Sequence, residues 1–214
     1  MRALLILVLL SVSCAQSPAR PPAAESPGSE SRAAFWRWFA AHKDEVATIQ
    51  ATRTPIVDSL VAELHKVDPR LTYEVGNNMQ PREIIITADG NKDGFPAVVA
   101  LTAAAPVIPG WKVIPFRQPQ AHDSVEMGGV LLRTDDIYFH ATPVEGHRLS
   151  LMLWVKPTRE LTPRILQLAG LLVDSAIGEY DLATRLAGME MQKGDPPPDA
   201  HPLRELAKRV DALK

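Results

Sequence analysis

Between Glu83 and Pro119 the chain reads EIIITADGNKDGFPAVVALTAAAPVIPGWKVIPFRQP, and no other stretch restricts the fold as tightly. Ile84, Ile85 and Ile86 in succession predict a strand covered on both faces. Asp89 to Gly94, DGNKDG, makes a polar turn. Pro96 then opens a short helix carrying Phe95, Val98, Val99 and Leu101. Ala105-Pro106 ends that helix, and Pro109-Gly110 turns the chain into a second strand over 111–116. The stretch is thus strand, acidic turn, helix, strand, and the rest of the chain must pack around it.

Upstream, Phe35, Phe39, His42, Val46 and Ile49 recur at spacings of four and three, one face of a helix over 32–50. Trp36 and Trp38 fall partly off that face. They either cover neighbouring core or form an exposed aromatic patch for a partner. Thr54-Pro55 supplies a capping hydroxyl and then a proline at the first helical position. Ile56, Leu60, Leu64 and Val67 give that second helix its buried stripe. Leu71, Tyr73 and Val75 alternate with polar residues as in a half-buried strand, and Gly76-Asn77-Asn78 turns the chain.

Downstream, 128–133 and 137–142 predict two short strands about the turn Thr134-Asp135-Asp136. Leu149, Leu151, Leu153 and Val155 share one face of a strand over 148–156, reached through Gly146 by a tight antiparallel turn. Thr162-Pro163 repeats the cap-then-proline start. Ile165, Leu168, Ala169, Leu172, Ala176 and Ile177 then form the longest apolar helix face in the chain. Gly178 is placed to end this helix, and 180–192 predicts a last strand with a bulge at Gly188. The order of elements predicts a single α+β domain over 32–192, with a mixed, mostly antiparallel sheet and helices packed on a face. Residues 193–214 read as a proline-rich linker and a small amphipathic helix, with Leu203, Leu206, Val210 and Leu213 on its docking face.

A net charge of −2 over 214 residues, with no clustered basic stripe, predicts no nucleic-acid partner. The single cysteine, Cys14, excludes an intramolecular disulfide. It follows Arg2, the apolar run Ala3 to Leu10 and the small residues Ser11 and Ser13, which together read as a secretory signal. The apolar run is about half the ~20 residues a spanning helix needs. The segment resembles a bacterial lipoprotein signal: Val12 and Ser13 fit the two places before the cysteine, although Ser11 stands where Leu, Val or Ile is usual. The resemblance implies removal of residues 1–13, a diacylglyceryl thioether on Cys14 and an acyl chain such as palmitate on the new amino terminus. Cys14 is then the lipid-attachment residue and the membrane a partner. Ala15 after the cysteine implies the periplasmic face of an outer membrane. Ordinary signal cleavage after Ala15 is the alternative, and it gives a secreted or periplasmic soluble protein. Over 14–31 the chain is rich in Pro, Ser and Ala without apolar period, as in a tether.

Across 33–192 the opening FWRWFAAHKDE, the block APVIPGWKVIPFRQP (an APxxPGWKVxxFRxP pattern) and the GEYD block at Gly178 to Asp181 resemble a family of uncharacterised bacterial proteins. The resemblance implies one domain and no particular chemistry.

Candidate chemistry is sparse. Asp89 to Gly94 matches the first half of a calcium loop, but Ala100 stands where the bidentate glutamate belongs, so the stretch reads as a polar turn and no metal is expected. Glu179 and Asp181 could bring two acids to a cleft, or could bond to backbone and to Arg117. His140 and His147 flank a predicted hairpin with Glu145 between them, where cross-strand neighbours could meet. No G-x-S-x-G, H-E-x-x-H or P-loop is present, and no cofactor is expected. Two readings follow. One is a membrane-tethered envelope lipoprotein acting as a non-enzymatic binding module for a protein, peptide or glycan, with Trp36, Trp38 and Arg117 as binding candidates. The other is a hydrolase-type enzyme using Glu179, Asp181, His140 and His147 in a cleft.

Overall fold

The triple isoleucine does form a strand, and it lies at the centre of the first of two hydrophobic cores. The computed structural model describes residues 28–49, 55–76, 80–156 and 160–213. The signal segment, Cys14, the tether up to Pro27, Thr54 and the Asn77-Asn78 turn lie outside the described residues.

Two helices lead the chain, α1 (Ser29–Val46) and α2 (Pro55–His65). Strands β1 (Thr72–Gly76) and β2 (Arg82–Thr87) follow. A short helix, α3 (Phe95–Ala103), then leads into β3 (Trp111–Pro115). β2 pairs antiparallel with β1 and parallel with β3, so α3 is the crossover of a β-α-β unit. Strand alternation sorts the side chains. Ile84 and Ile86 face Phe35, Phe39, Leu60, Leu64, Val98 and Leu101 in the first core. Ile85 points the other way and is half-buried.

The second core belongs to the C-terminal half. A hairpin of β4 (Ser124–Met127) and β5 (Val130–Arg133) turns through Gly128 and Gly129, both at positive φ. The β4 strand is too short and polar to stand out in the sequence. A second hairpin joins β6 (Ile137–Val144) to β7 (Arg148–Val155). The long helix α4 (Pro163–Arg185) lies against both hairpins, capped by Thr162, whose Oγ1 accepts from the Ile165 N–H at 3.3 Å. Then come β8 (Leu186–Met191), parallel to β7, and β9 (His201–Pro202), antiparallel to β6. A final helix, α5 (Leu206–Asp211), buries Leu206 and Val210 beside Leu203 in this core.

The fold is α+β, with mostly antiparallel strands. These strands divide among three sheets of three, two and four strands rather than forming one. No helix of the described residues is long and apolar enough to cross a membrane.

One expected boundary is overturned. Gly178 does not hand the chain over to a strand at Tyr180. It breaks α4 with φ 78° and ψ 161°, a conformation essentially confined to glycine, and the helix resumes to Arg185. The reason is tertiary: the Glu179 N–H, which the break leaves without a helical carbonyl, donates to the Arg117 carbonyl at 2.9 Å. The last strand therefore begins six residues late, at Leu186. Its register against β7 skips Ala187, next to the glycine expected to bulge.

Candidate functional site

In a sheet with parallel strands, the loops after the strand ends open a crevice where polar groups collect. Here β2 runs out into Thr87-Ala88-Asp89-Gly90, and β3 runs out into Phe116-Arg117-Gln118. The broken α4 crosses both ends. The Gln120 N–H donates to the Ser175 carbonyl at 2.7 Å, so the strand exit and the helix are held on both sides of the break.

At the bottom sits Glu179, 0% exposed. Four donors converge on its carboxylate. The Thr87 hydroxyl and the Arg117 N–H reach Oε2 at 2.5 and 3.2 Å, and the Ala88 and Gly90 N–H groups reach Oε1 at 3.1 and 2.9 Å. Burial alone would raise the carboxyl pKa. The Thr87 hydroxyl and the three backbone N–H groups outweigh it and hold the group below its ordinary value. A strand-end turn that presents several N–H groups is an anion site, and this chain fills it with its own side chain.

Above Glu179 lies Arg117. Its Nε donates to Asp174 Oδ2 at 2.9 Å, and its Nη1 donates to Asp89 Oδ1 at 2.8 Å and to Glu74 Oε1 at 3.4 Å. Burial would lower the guanidinium pKa; Asp89, Asp174 and Glu179 more than offset that and push it up. Asp174 Oδ1 is buried with no hydrogen-bond partner among the described residues. These groups wall a cleft of about 420 Å³ completed by Ile85, Gln118, Gln120, His122, Leu171 and Ser175. With three carboxylates in its walls against one guanidinium, the cleft is acidic.

Of the residues singled out in the sequence, Glu179 and Arg117 meet here, and the others lie elsewhere. Asp181 is on the helical turn after the break, 3.9 Å from Arg185 Nε, and is not in the cleft lining. His140 pairs across the hairpin with Met152 and lies 3.7 Å from Asp199, whereas His147 occupies the turn itself at φ 54°. Four residues of strand separate His140 from that turn, roughly 13 Å, so the two imidazoles do not meet. The acid–histidine constellation of a hydrolase is therefore not assembled from these four residues.

The aromatic patch is overturned for Trp36, which is 2% exposed. Its indole N–H donates to the Leu101 carbonyl at 2.8 Å, and its ring meets Phe35 and Phe39 edge-on. Trp38 is half-buried against the first core and stacks on His42 at 4.6 Å. In the DGNKDG loop, Asn91 Oδ1 accepts from the Asp93 N–H and Asp89 Oδ1 from Arg117. Among the described residues no group of three or more His, Cys, Asp or Glu is arranged to hold a metal ion.

Sequence reasoning passed over Glu74, Asp89, Asp174 and His122 as cleft residues. Asp174 carried a signal: it is the only acid between Pro163 and Ile177. No protein-family model, curated protein or solved structure matches the chain. The roles of these residues therefore rest on their geometry.

Proposed function

We propose that this chain is a membrane-tethered envelope domain that binds a ligand rather than transforming it, and that the ligand is a basic segment of a peptide or protein seated in the Arg117 cleft. The observation that carries the reading is the cleft itself. It is open, lined by Glu74, Asp89 and Asp174, and Asp174 Oδ1 is buried without a hydrogen-bond partner among the described residues. A buried acceptor left unpaired costs about 1–3 kcal/mol, so a ligand ammonium or guanidinium that satisfied it would gain that much. Arg117 fixes the carboxylates in place, and Gln120 offers its side-chain amide for a backbone, while the Gln118 NH₂ is spent on the Pro115 carbonyl at 2.6 Å. The acid best placed for chemistry, Glu179, is enclosed by four donors and held ionised. That suits a structural anion and not a group that exchanges protons near neutral pH.

The test is a chemical-shift titration of the domain with a lysine- and arginine-containing pentapeptide at low salt. Backbone amides of Asp89, Gln118, Gln120 and Asp174 should shift saturably, and the Glu74→Gln/Asp174→Asn double variant should lose the response. An acidic pentapeptide that shifts the same amides equally, or a basic one that leaves them unmoved, refutes the reading.

A further inference from the structure

We propose that the outer face of α3 and the loop after it seat the domain flat on a lipid bilayer, the same bilayer that a lipidated Cys14 would enter. The inference rests on the tethered-domain reading and adds to it the face that meets the membrane.

α3, FPAVVALTA, contains no charged residue. Its inner side is spent on Phe95, Val98 and Leu101, which are buried. A helix on a water-facing surface ordinarily turns polar residues outward. This one turns out Pro96, Val99, Ala100 and Ala103, with Val99 51% exposed. They form a shallow apolar hollow of about 590 Å³, bordered by Lys92, Tyr180 and Thr184. Tyr180 is 48% exposed, and its ring packs on Phe95 and Phe116 at 5.7 and 5.3 Å. The loop that follows continues the same character. Pro106 and Pro109 are exposed, and Val107 is 97% exposed. Folding does not account for a valine held almost wholly in water.

Chemistry at the edge selects the occupant. Lys92 supplies an ammonium on a long apolar stem and Tyr180 a ring with a polar tip, the pair that suits a headgroup boundary. Asp93, exposed in the turn before α3, and Asp181, next to Tyr180 and 3.9 Å from Arg185 Nε, are the acids adjacent in sequence to this face. An apolar face with a cationic border lies in the interface plane, apolar side toward the acyl chains, and favours anionic lipid.

The path of the chain points the same way. The Trp36 indole bonds the Leu101 carbonyl near the end of α3, which pins α1 against the inner side of that helix. Gly28 is eight residues before Trp36, about 12 Å along the helix. Cys14 is a further 14 residues upstream, a span of at most about 50 Å when extended. An anchor at Cys14 therefore keeps the Val107 loop within reach of the membrane that holds it.

The experiment labels the full, lipid-carrying chain at Val107→Cys with an environment-sensitive dye, in vesicles of phosphatidylethanolamine and phosphatidylglycerol. Glu126→Cys, exposed on the β4–β5 hairpin, is the reference site. The dye at 107 should shift to the blue and be quenched severalfold more by brominated lipid than the dye at 126. A Lys92→Glu change should reduce that difference while the chain stays on the vesicles. Equal quenching of both sites by aqueous iodide overturns the inference. So does a dye at 107 that is equally shielded in the Cys14→Ser chain in buffer without vesicles or detergent, since a second protein copy would then be covering the face. If mass spectrometry finds no lipid on Cys14, the anchor reading has failed separately. The comparison is then made in the Cys14→Ser background with added vesicles, where a dye at 107 that brominated lipid does not quench overturns the membrane face itself.

Discussion

Glu179→Gln tests the centre of the structure with almost no change of shape. In the native chain, two carboxylate oxygens accept four hydrogen bonds. An amide offers one oxygen. If it faces Ala88 and Gly90, the NH₂ group points at the Thr87 hydroxyl and the Arg117 N–H. The hydroxyl can rotate to accept, but the Arg117 N–H cannot, and it is left without a partner. One buried unmade donor costs about 1–3 kcal/mol, and the three surviving bonds, about 1.5–3 kcal/mol each to a charged group, lose roughly half their strength with the charge, so the total is about 3–7 kcal/mol. For a domain of this size, 1 kcal/mol is about 2–4 °C, which gives a melting-temperature loss of about 6–28 °C at pH 7.

The dependence on pH is equally specific. The folded-state pKa of Glu179 lies below the ordinary 4.5. Its contribution to stability is therefore fully present above 4.5 and disappears as pH falls through the lower, folded-state value. Thermal melts of native and variant chains from pH 7 to pH 3 should show a constant gap down to about pH 5 that closes below it. A gap under about 2 °C at neutral pH, or one that persists unchanged to pH 3, would refute the account of Glu179 as a buried, hydrogen-bonded anion.

Three further outcomes are expected. Gly178→Ala places a Cβ at 2.8 Å from Pro119 Cδ and 2.9 Å from the Arg117 carbonyl, at φ 78°, so denaturant unfolding should show a loss of about 2–4 kcal/mol. Leu168→Ala, fully buried in the second core, should cost about 2–5 kcal/mol in the same assay, without changing binding in the Arg117 cleft. Cys14→Ser should move the protein from the membrane fraction to the soluble fraction on cell fractionation, and a variant that stays membrane-bound would count against lipid anchoring.

Much of the scaffold was legible because periodicity is local. Helix faces such as Ile165, Leu168 and Leu172, and strand faces such as Leu149, Leu151 and Leu153, declare themselves through spacings of 3.6 and 2. The cap-then-proline start at Thr162-Pro163 is similarly self-contained. Of the cleft only Arg117 was visible, together with Glu179 buried beneath it, since both stand out as charged residues beside apolar runs. Trp36 stayed open between core cover and an exposed patch because an indole off the main helical stripe is placed only once α3 is brought over it.

Local pattern thus determined the α+β class, the number and kind of most elements, and the apolar positions that fill both cores. Those properties follow from side chains a few residues apart. Only the tertiary structure decided that Glu179 fills a strand-end anion site 92 residues from Thr87, that Arg117 gathers Glu74, Asp89 and Asp174, and that α4 continues past Gly178. In each case a hydrogen bond or ion pair is made by groups distant in the chain. Its strength depends on burial and alignment that exist only once β2, β3 and α4 have come together.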